Sequence, residues 1–197
     1  MTGRRFRPRI AAAGLLLSAP VNAVGLAALI GMFVAFGMGQ RPTGMTLGRT
    51  NDILGIIGTA LMLPAVIEIH ALTGPGRPML RATLLIVGLA AMVSIIWLQI
   101  LLVTERLPFE TQIQYVSLAY AALAVWFVAG GWSAARAGVM ADGGRLGAAA
   151  AVYVGQPLWA WRWGRRLLEL AGDPSARPTI TAPHAGEPVL ARPTDGS

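Results

Sequence analysis

Four stretches of the chain are apolar on every side. A fifth is apolar on one side only. Residues 11–39, 53–72, 82–103 and 113–134 each run for about 20 residues or more with almost no charge, the length a helix needs to cross roughly 30 Å of hydrocarbon. The intervening stretches 40–52, 73–81, 104–112 and 135–145 are too short to hold a folded domain, so successive helices run antiparallel. The expected architecture is all-α and integral to a membrane. It is an antiparallel bundle (residues 1–171) of four transmembrane helices plus a fifth C-terminal helix over 146–170, followed by a disordered tail over 172–197.

The first stretch resembles a signal peptide, because Arg4, Arg5, Arg7 and Arg9 precede it and "VNA" resembles a cleavage site. A signal core spans about 7 to 15 residues, however, and this apolar run continues well past Ala23, which favours an uncleaved first helix. At 1.5 Å per residue, residues 11–39 would span about 43 Å, so tilt or a bend at Pro20 is expected to absorb the excess. Ala27, Gly31, Ala35 and Gly39 recur every fourth residue and predict a small-residue ridge. It would serve packing inside the monomer or the seam of a homo-oligomer.

The fifth stretch, "LGAAAAVYVGQPLWAWRWGRRLLEL", has only 16 residues between Arg145 and Arg162, about 24 Å of helix, and Gln156 and Pro157 interrupt it. It is either a short span or a re-entrant or interfacial helix. Arg162, Arg165, Arg166 and Glu169 follow helical spacing on one face, which predicts contacts with lipid headgroups from those arginines and from Trp159, Trp161 and Trp163. Beyond it, "GDPSARPTITAPHAGEPVLARPTDGS" carries too few large apolar residues to offset its ordering entropy.

Charge orients the bundle. All 16 basic residues are arginine, against nine acidic ones. An amino terminus in the cytoplasm puts residues 4, 5, 7, 9, 77, 81, 136 and 145 inside and only Arg41, Arg49 and Arg106 outside. A fifth segment that crosses would add Arg162, Arg165 and Arg166 to the outside, so the charge rule favours one that turns back. The expected location is the inner membrane, with membrane lipids as partners. The basic surplus lies beside apolar runs and points to lipid headgroups, not nucleic acid.

The absence of lysine excludes a G-x-x-x-x-G-K phosphate loop and Schiff-base cofactors. The absence of cysteine excludes thiolate metal sites and thiol nucleophiles. Neither an H-E-x-x-H nor a G-x-S-x-G pattern occurs, so no cofactor and no catalytic residue is assigned.

The polar candidates lie inside the apolar runs. Thr50, Asn51 and Asp52 read as the cap of the second helix. Pro64 reads as a possible bend or hinge, since it leaves the carbonyl of Ala60 without its usual donor. Glu68 and His70 are two residues apart and diverge by about 200° on a helix, so they do not form a pair. Both lie near enough to the inner interface to reach water, Arg77 or Arg81, and Asn22 on the first helix is a possible partner for Glu68. Gln99 and Tyr120 fall in the outer half and are expected to bond to each other between helices.

The stretches "RTNDILGIIGTALMLPAVIEIHAL" and "QPLWAWRWGRRLLEL" together resemble polytopic membrane proteins of high-GC bacteria. In those an Asn-Asp pair opens the second helix and a Pro-Leu-Trp, then Gly-Arg-Arg segment closes the bundle. The resemblance implies a helical membrane fold, often of six helices, and no particular activity. A non-enzymatic structural or interaction subunit is the leading expectation. A transport or channel component with Glu68 at its moving part, and a lipid- or quinone-handling enzyme, are the alternatives.

Overall fold

The computed structural model of the chain describes residues 3–72, 78–151 and 155–173. Every regular element among them is a helix: α1 (Gly3–Gly37), α2 (Arg41–Leu72), α3 (Pro78–Val103), α4 (Phe109–Arg136), α5 (Gly143–Ala151) and α6 (Gln156–Gly172). Four helices are long and apolar enough to cross a membrane: Pro8–Gly37, Arg41–Leu72, Ala82–Val103 and Glu110–Arg136. The protein is thus an all-α bundle with four candidate spans. The expected tail lies outside the described residues from 174 onward.

Three helices end in the same way. The amide of Gln40 bonds to the carbonyl of Ala35 at 2.8 Å and that of Gly39 to Phe36 at 3.0 Å, with Gly39 left-handed at φ 75°. Gly138 (φ 67°) closes α4 through Val139 to Ala134 and Gly138 to Ala135. Glu105 (φ 58°) closes α3 through Arg106 to Leu101 and Glu105 to Leu102. This pattern satisfies the last carbonyls of a helix and ordinarily calls for glycine. Glu105 therefore holds a conformation that is strained for a residue with a side chain.

The second helix starts about a dozen residues earlier than its hydropathy suggests. Arg41 follows the Gly39 turn directly, and Pro42, in the first helical turn, removes an amide that has no partner there anyway. Thr50, Asn51 and Asp52 are consequently inside α2 and do not cap it; the Thr50 hydroxyl donates back to the carbonyl of Thr46 at 2.9 Å. The helix runs unbroken through Pro64 to Leu72.

The α1–α2 seam is built on small residues, though on a different set from the ridge read from the sequence. Along α2, Gly44, Gly48, Asn51, Gly55, Gly58, Met62, Ala65 and Ile69 alternate spacings of four and three, the 3.5-residue period of helices that wrap left-handedly; within this stripe Gly55 meets Gln99 of α3. A side chain at Gly44 would overlap the Phe36 ring, one at Gly48 would crowd Met32, and one at Gly14 would overlap the carbonyl of Leu61. Of the expected ridge, Gly31 lies against Leu47 and Ala35 is buried, whereas Ala27 faces outward and Gly39 is the turn residue. A four-residue repeat drifts off a 3.5-residue seam, and so only part of it stays in contact.

The α1–α2 hairpin is longer than its neighbour. Arg49 donates from Nη2 to the carbonyl of Val103 at 2.8 Å, and its Nη1 lies 3.8 Å from Glu105. The first eight residues of α2 therefore rise about 12 Å beyond the α3–α4 turn.

The fifth segment is two helices, which corrects the single helix expected over 146–170. Gly143 and Gly147 of α5 press against the backbone of Gly131 and Phe127 in α4. At the other side of the break, Gln156 lies level with Met62, and α6 then runs back along α1 until Gly164 meets Ala12 and Leu16. Arg162 pairs with Asp142 and Arg166 donates to the carbonyl of Val139 at 2.8 Å, so α6 returns to the end of the bundle where α5 begins. Pro157 lies in the first turn of α6, where its missing amide has no helical partner to lose, which fits a helix that starts at Gln156.

Candidate functional site

The polar residues inside the bundle gather along α2, where its glycines leave room for amide side chains. Asn22, 4% exposed, projects from α1 onto Gly58, where any side chain would overlap its Oδ1. Gln99, 3% exposed, projects from α3 onto Gly55 in the same way. Between these levels and the next turn stand Thr59 and Met62, both buried.

Met62 is the meeting point. The Asn22 amide donates from Nδ2 to its Sδ at 3.8 Å, and the Gln156 amide of α6 donates from Nε2 to the same sulfur at 3.3 Å. A thioether is a weak acceptor, yet here it joins α1, α2 and α6 at one level. The expected Gln99–Tyr120 bond is present, with Gln99 Nε2 donating to the phenol oxygen at 3.4 Å across α3 and α4. Gln99 Oε1 and Asn51 Oδ1, the latter beside Gly25, are buried without a hydrogen-bond partner.

Glu68 and His70 occupy the last turns of α2, half-buried, and both are engaged in polar contacts. Asn22 faces Gly58 and Met62, one to three helical turns short of Glu68, so it belongs to the middle layer of the bundle and not to Glu68. Of the other expected partners, Arg77 and the side chain of Arg81 lie outside what the structure describes. Pro64 is half-buried between the two levels.

The interior of α6 is aromatic, a feature that hydropathy alone did not place. Trp159 meets Phe127 edge-on with centroids 4.7 Å apart, lies 5.9 Å from Trp126 and leads to Trp163 at 6.3 Å. Trp159 and Trp163 are 2% and 0% exposed, and both indole N–H groups are unpaired. This corrects the expectation that they meet lipid headgroups: a short amphipathic helix packed on α1 and α4 puts its bulkiest residues inside. The alternation of tryptophan with arginine at residues 159–166 carried that signal. Trp161, Arg162 and Arg165 remain on the outer face, while Arg166 is half-buried by its bonds to Val139 and Glu169.

Chemically this core is neutral. Among the described residues no group of three or more His, Asp or Glu side chains converges as a metal site would require. A groove of about 500 Å³ opens between α3 and α4, lined by Val87, Ser94, Trp97, Tyr115 and Leu118 among others; it is apolar and does not touch α2. The chain matches no protein-family model, no curated protein and no solved structure.

Proposed function

We propose that the chain is a multi-pass inner-membrane protein, amino terminus in the cytoplasm, acting as a non-enzymatic structural or interaction subunit. The observation that carries this reading is the fate of the mid-depth polar groups. Asn22, Gln156 and Gln99 direct amide donors to other helices, two of them to Met62 and the third to the phenol oxygen of Tyr120. Such bonds fix helices in place and leave little to act on a substrate. The α1–α2 tip supplies a surface for a membrane partner or a second copy, since Phe33, Met38 and Met45 stand 64%, 68% and 68% exposed there.

The test exploits the absence of cysteine, which makes an introduced thiol the only reactive one. Thr59→Cys places it in the middle of the bundle. Failure to react with a membrane-impermeant thiol reagent from either side is expected of a packed scaffold, and rapid labelling from one side would overturn the reading. A transport role is the second reading. It is favoured by the start of α6 at the level of Met62, because a helix that begins at mid-depth presents unpaired amides there that can hold a solute. Labelling at Thr59 that solute or pH alters would move the assignment there.

A further inference from the structure

We infer that the outer face of α6, with Arg9 of α1, forms a binding site for an anionic phospholipid of the leaflet that faces the amino terminus. Around α6 the residues divide cleanly. Gln156, Trp159, Ala160, Trp163, Leu167 and Leu170 are buried, and the opposite arc carries Leu158, Trp161, Arg165 and Leu168. On a soluble protein such an arc would be polar throughout. Here Leu158, Trp161 and Leu168 are 55%, 47% and 44% exposed, so the arc is apolar toward its deep end and charged toward the other, where Arg162 and Arg165 stand with Glu169, whose carboxylate is taken by Arg166.

The arginines of α6 are not equivalent. Arg162 is neutralised by Asp142, and Arg166 is held by the Val139 carbonyl and Glu169. Arg165 is exposed and has no acidic partner among the described residues. Arg9 is in the same condition. It continues the stripe Arg9, Ala12, Leu16 that lies against α6 at Gly164, within one helical turn of the level of Arg165.

Depth selects the occupant. Gln156 lies level with Met62 in the middle of the bundle, and Arg165 is nine residues further along α6, about 13 Å toward the amino-terminal end. Half of a hydrocarbon layer is about 15 Å thick, which puts this guanidinium at the boundary where phosphate groups begin. Trp161 lies about 6 Å deeper and Leu158 deeper still, beside the acyl region. A cation at phosphate depth with no acidic partner among the described residues, above the exposed Trp161 and Leu158, matches one molecule, a lipid with a net negative headgroup. A zwitterionic lipid offers the same chains but no net charge for the guanidiniums of Arg165 and Arg9. The inference rests on the bundle spanning a bilayer, as proposed above.

The test is native mass spectrometry of the full-length protein in detergent, titrated with palmitoyl-oleoyl phosphatidylglycerol or with the phosphatidylcholine of the same chains. Preferential binding of the phosphatidylglycerol is expected. Arg165→Gln and Arg9→Gln should each weaken it about fivefold, and Arg165→Lys should retain most of it. Arg106→Gln, an exposed arginine at the opposite end, is the control and should change nothing. Brominated phosphatidylglycerol should quench the emission that Trp161→Phe removes, and brominated phosphatidylcholine should do so less. Equal affinity for the two lipids would overturn the site, as would a loss in Arg106→Gln equal to that in Arg165→Gln. Thermal unfolding of each variant checks the fold, which an exposed residue without protein partners should leave intact. Recovery of the protein in a soluble form without detergent would sink the membrane reading itself, a failure distinct from equal lipid affinity in a detergent-solubilised bundle.

Discussion

The α1–α2 hairpin and α6 bury opposite kinds of residue. Inside the hairpin seam are glycines, Asn22 and Thr59, while Leu17, Val24, Ile30 and Phe33 face outward. Inside α6 are Trp159, Trp163 and Leu167, while Arg162, Arg165 and Glu169 face outward. The contrast is the one expected of helices that differ in their surroundings. Where lipid surrounds a helix, apolar burial brings no gain, so small residues and amides are drawn into the seam for close contact. Along α6, which ends in charged residues, large apolar side chains are drawn inside as well, while Leu158, Trp161 and Leu168 stay on the outer arc. A single short chain uses both rules because α6 returns toward the surface.

Substitutions can break this contrast, and the largest effect is expected in α6. Trp163→Ala empties a fully buried position and should lower stability by about 3–5 kcal/mol, whereas Phe33→Ala on the hairpin tip should change it by less than about 0.5 kcal/mol. Thermal unfolding in detergent reads both, and similar losses would contradict the division into inside and outside. Next come Gly14→Ala and Gly147→Ala, whose methyl groups would meet the carbonyls of Leu61 and Phe127. Backbone cannot step aside as a side chain can, and about 1–3 kcal/mol is the expected cost at each. Gly37→Ala and Gly172→Ala, in open space, provide the reference.

Two smaller effects sharpen the same picture. Glu105→Gly relieves a left-handed backbone at the end of α3 and should stabilise by about 1 kcal/mol, since the exposed contact with Arg49 contributes little. Tyr120→Phe removes the acceptor of Gln99 and should cost about 0.6 kcal/mol, the ordinary worth of a hydrogen bond between membrane helices. A loss several times larger would mark this pair as part of a wider polar network.

The four long helices were legible because crossing lipid demands a run of apolar residues that little else explains. Polar features were read less well, for physical reasons. Residues 41–52 look like a loop by composition, since Pro42, Gly44 and Gly48 are poor helix formers. In the bundle the same glycines are the contact points for Phe36 and Met32, and packing outweighs propensity. The Gln99–Tyr120 bond was legible because both polar positions fall in the outer half of adjacent helices, within reach of each other's side chains. The Asn22–Met62–Gln156 junction did not, since it needs α6 folded back beside α1, and only the arginine distribution hinted at that path. Trp159 and Trp163 were assigned to the surface by their residue type, although their spacing along α6 already set them apart from Trp161.

The return of α6 to the side where α5 begins is the claim on which the orientation, the lipid site and the contrast between the α1–α2 hairpin and α6 all depend. Single thiols at Gly172, at the end of α6, and at Gly37, at the α1–α2 tip, sit in open space and decide it in intact cells. With an impermeant maleimide, Gly37→Cys should label at once and Gly172→Cys only after the membrane is opened. Labelling of both positions from the outside would mean that the last segment crosses, and the account would be wrong.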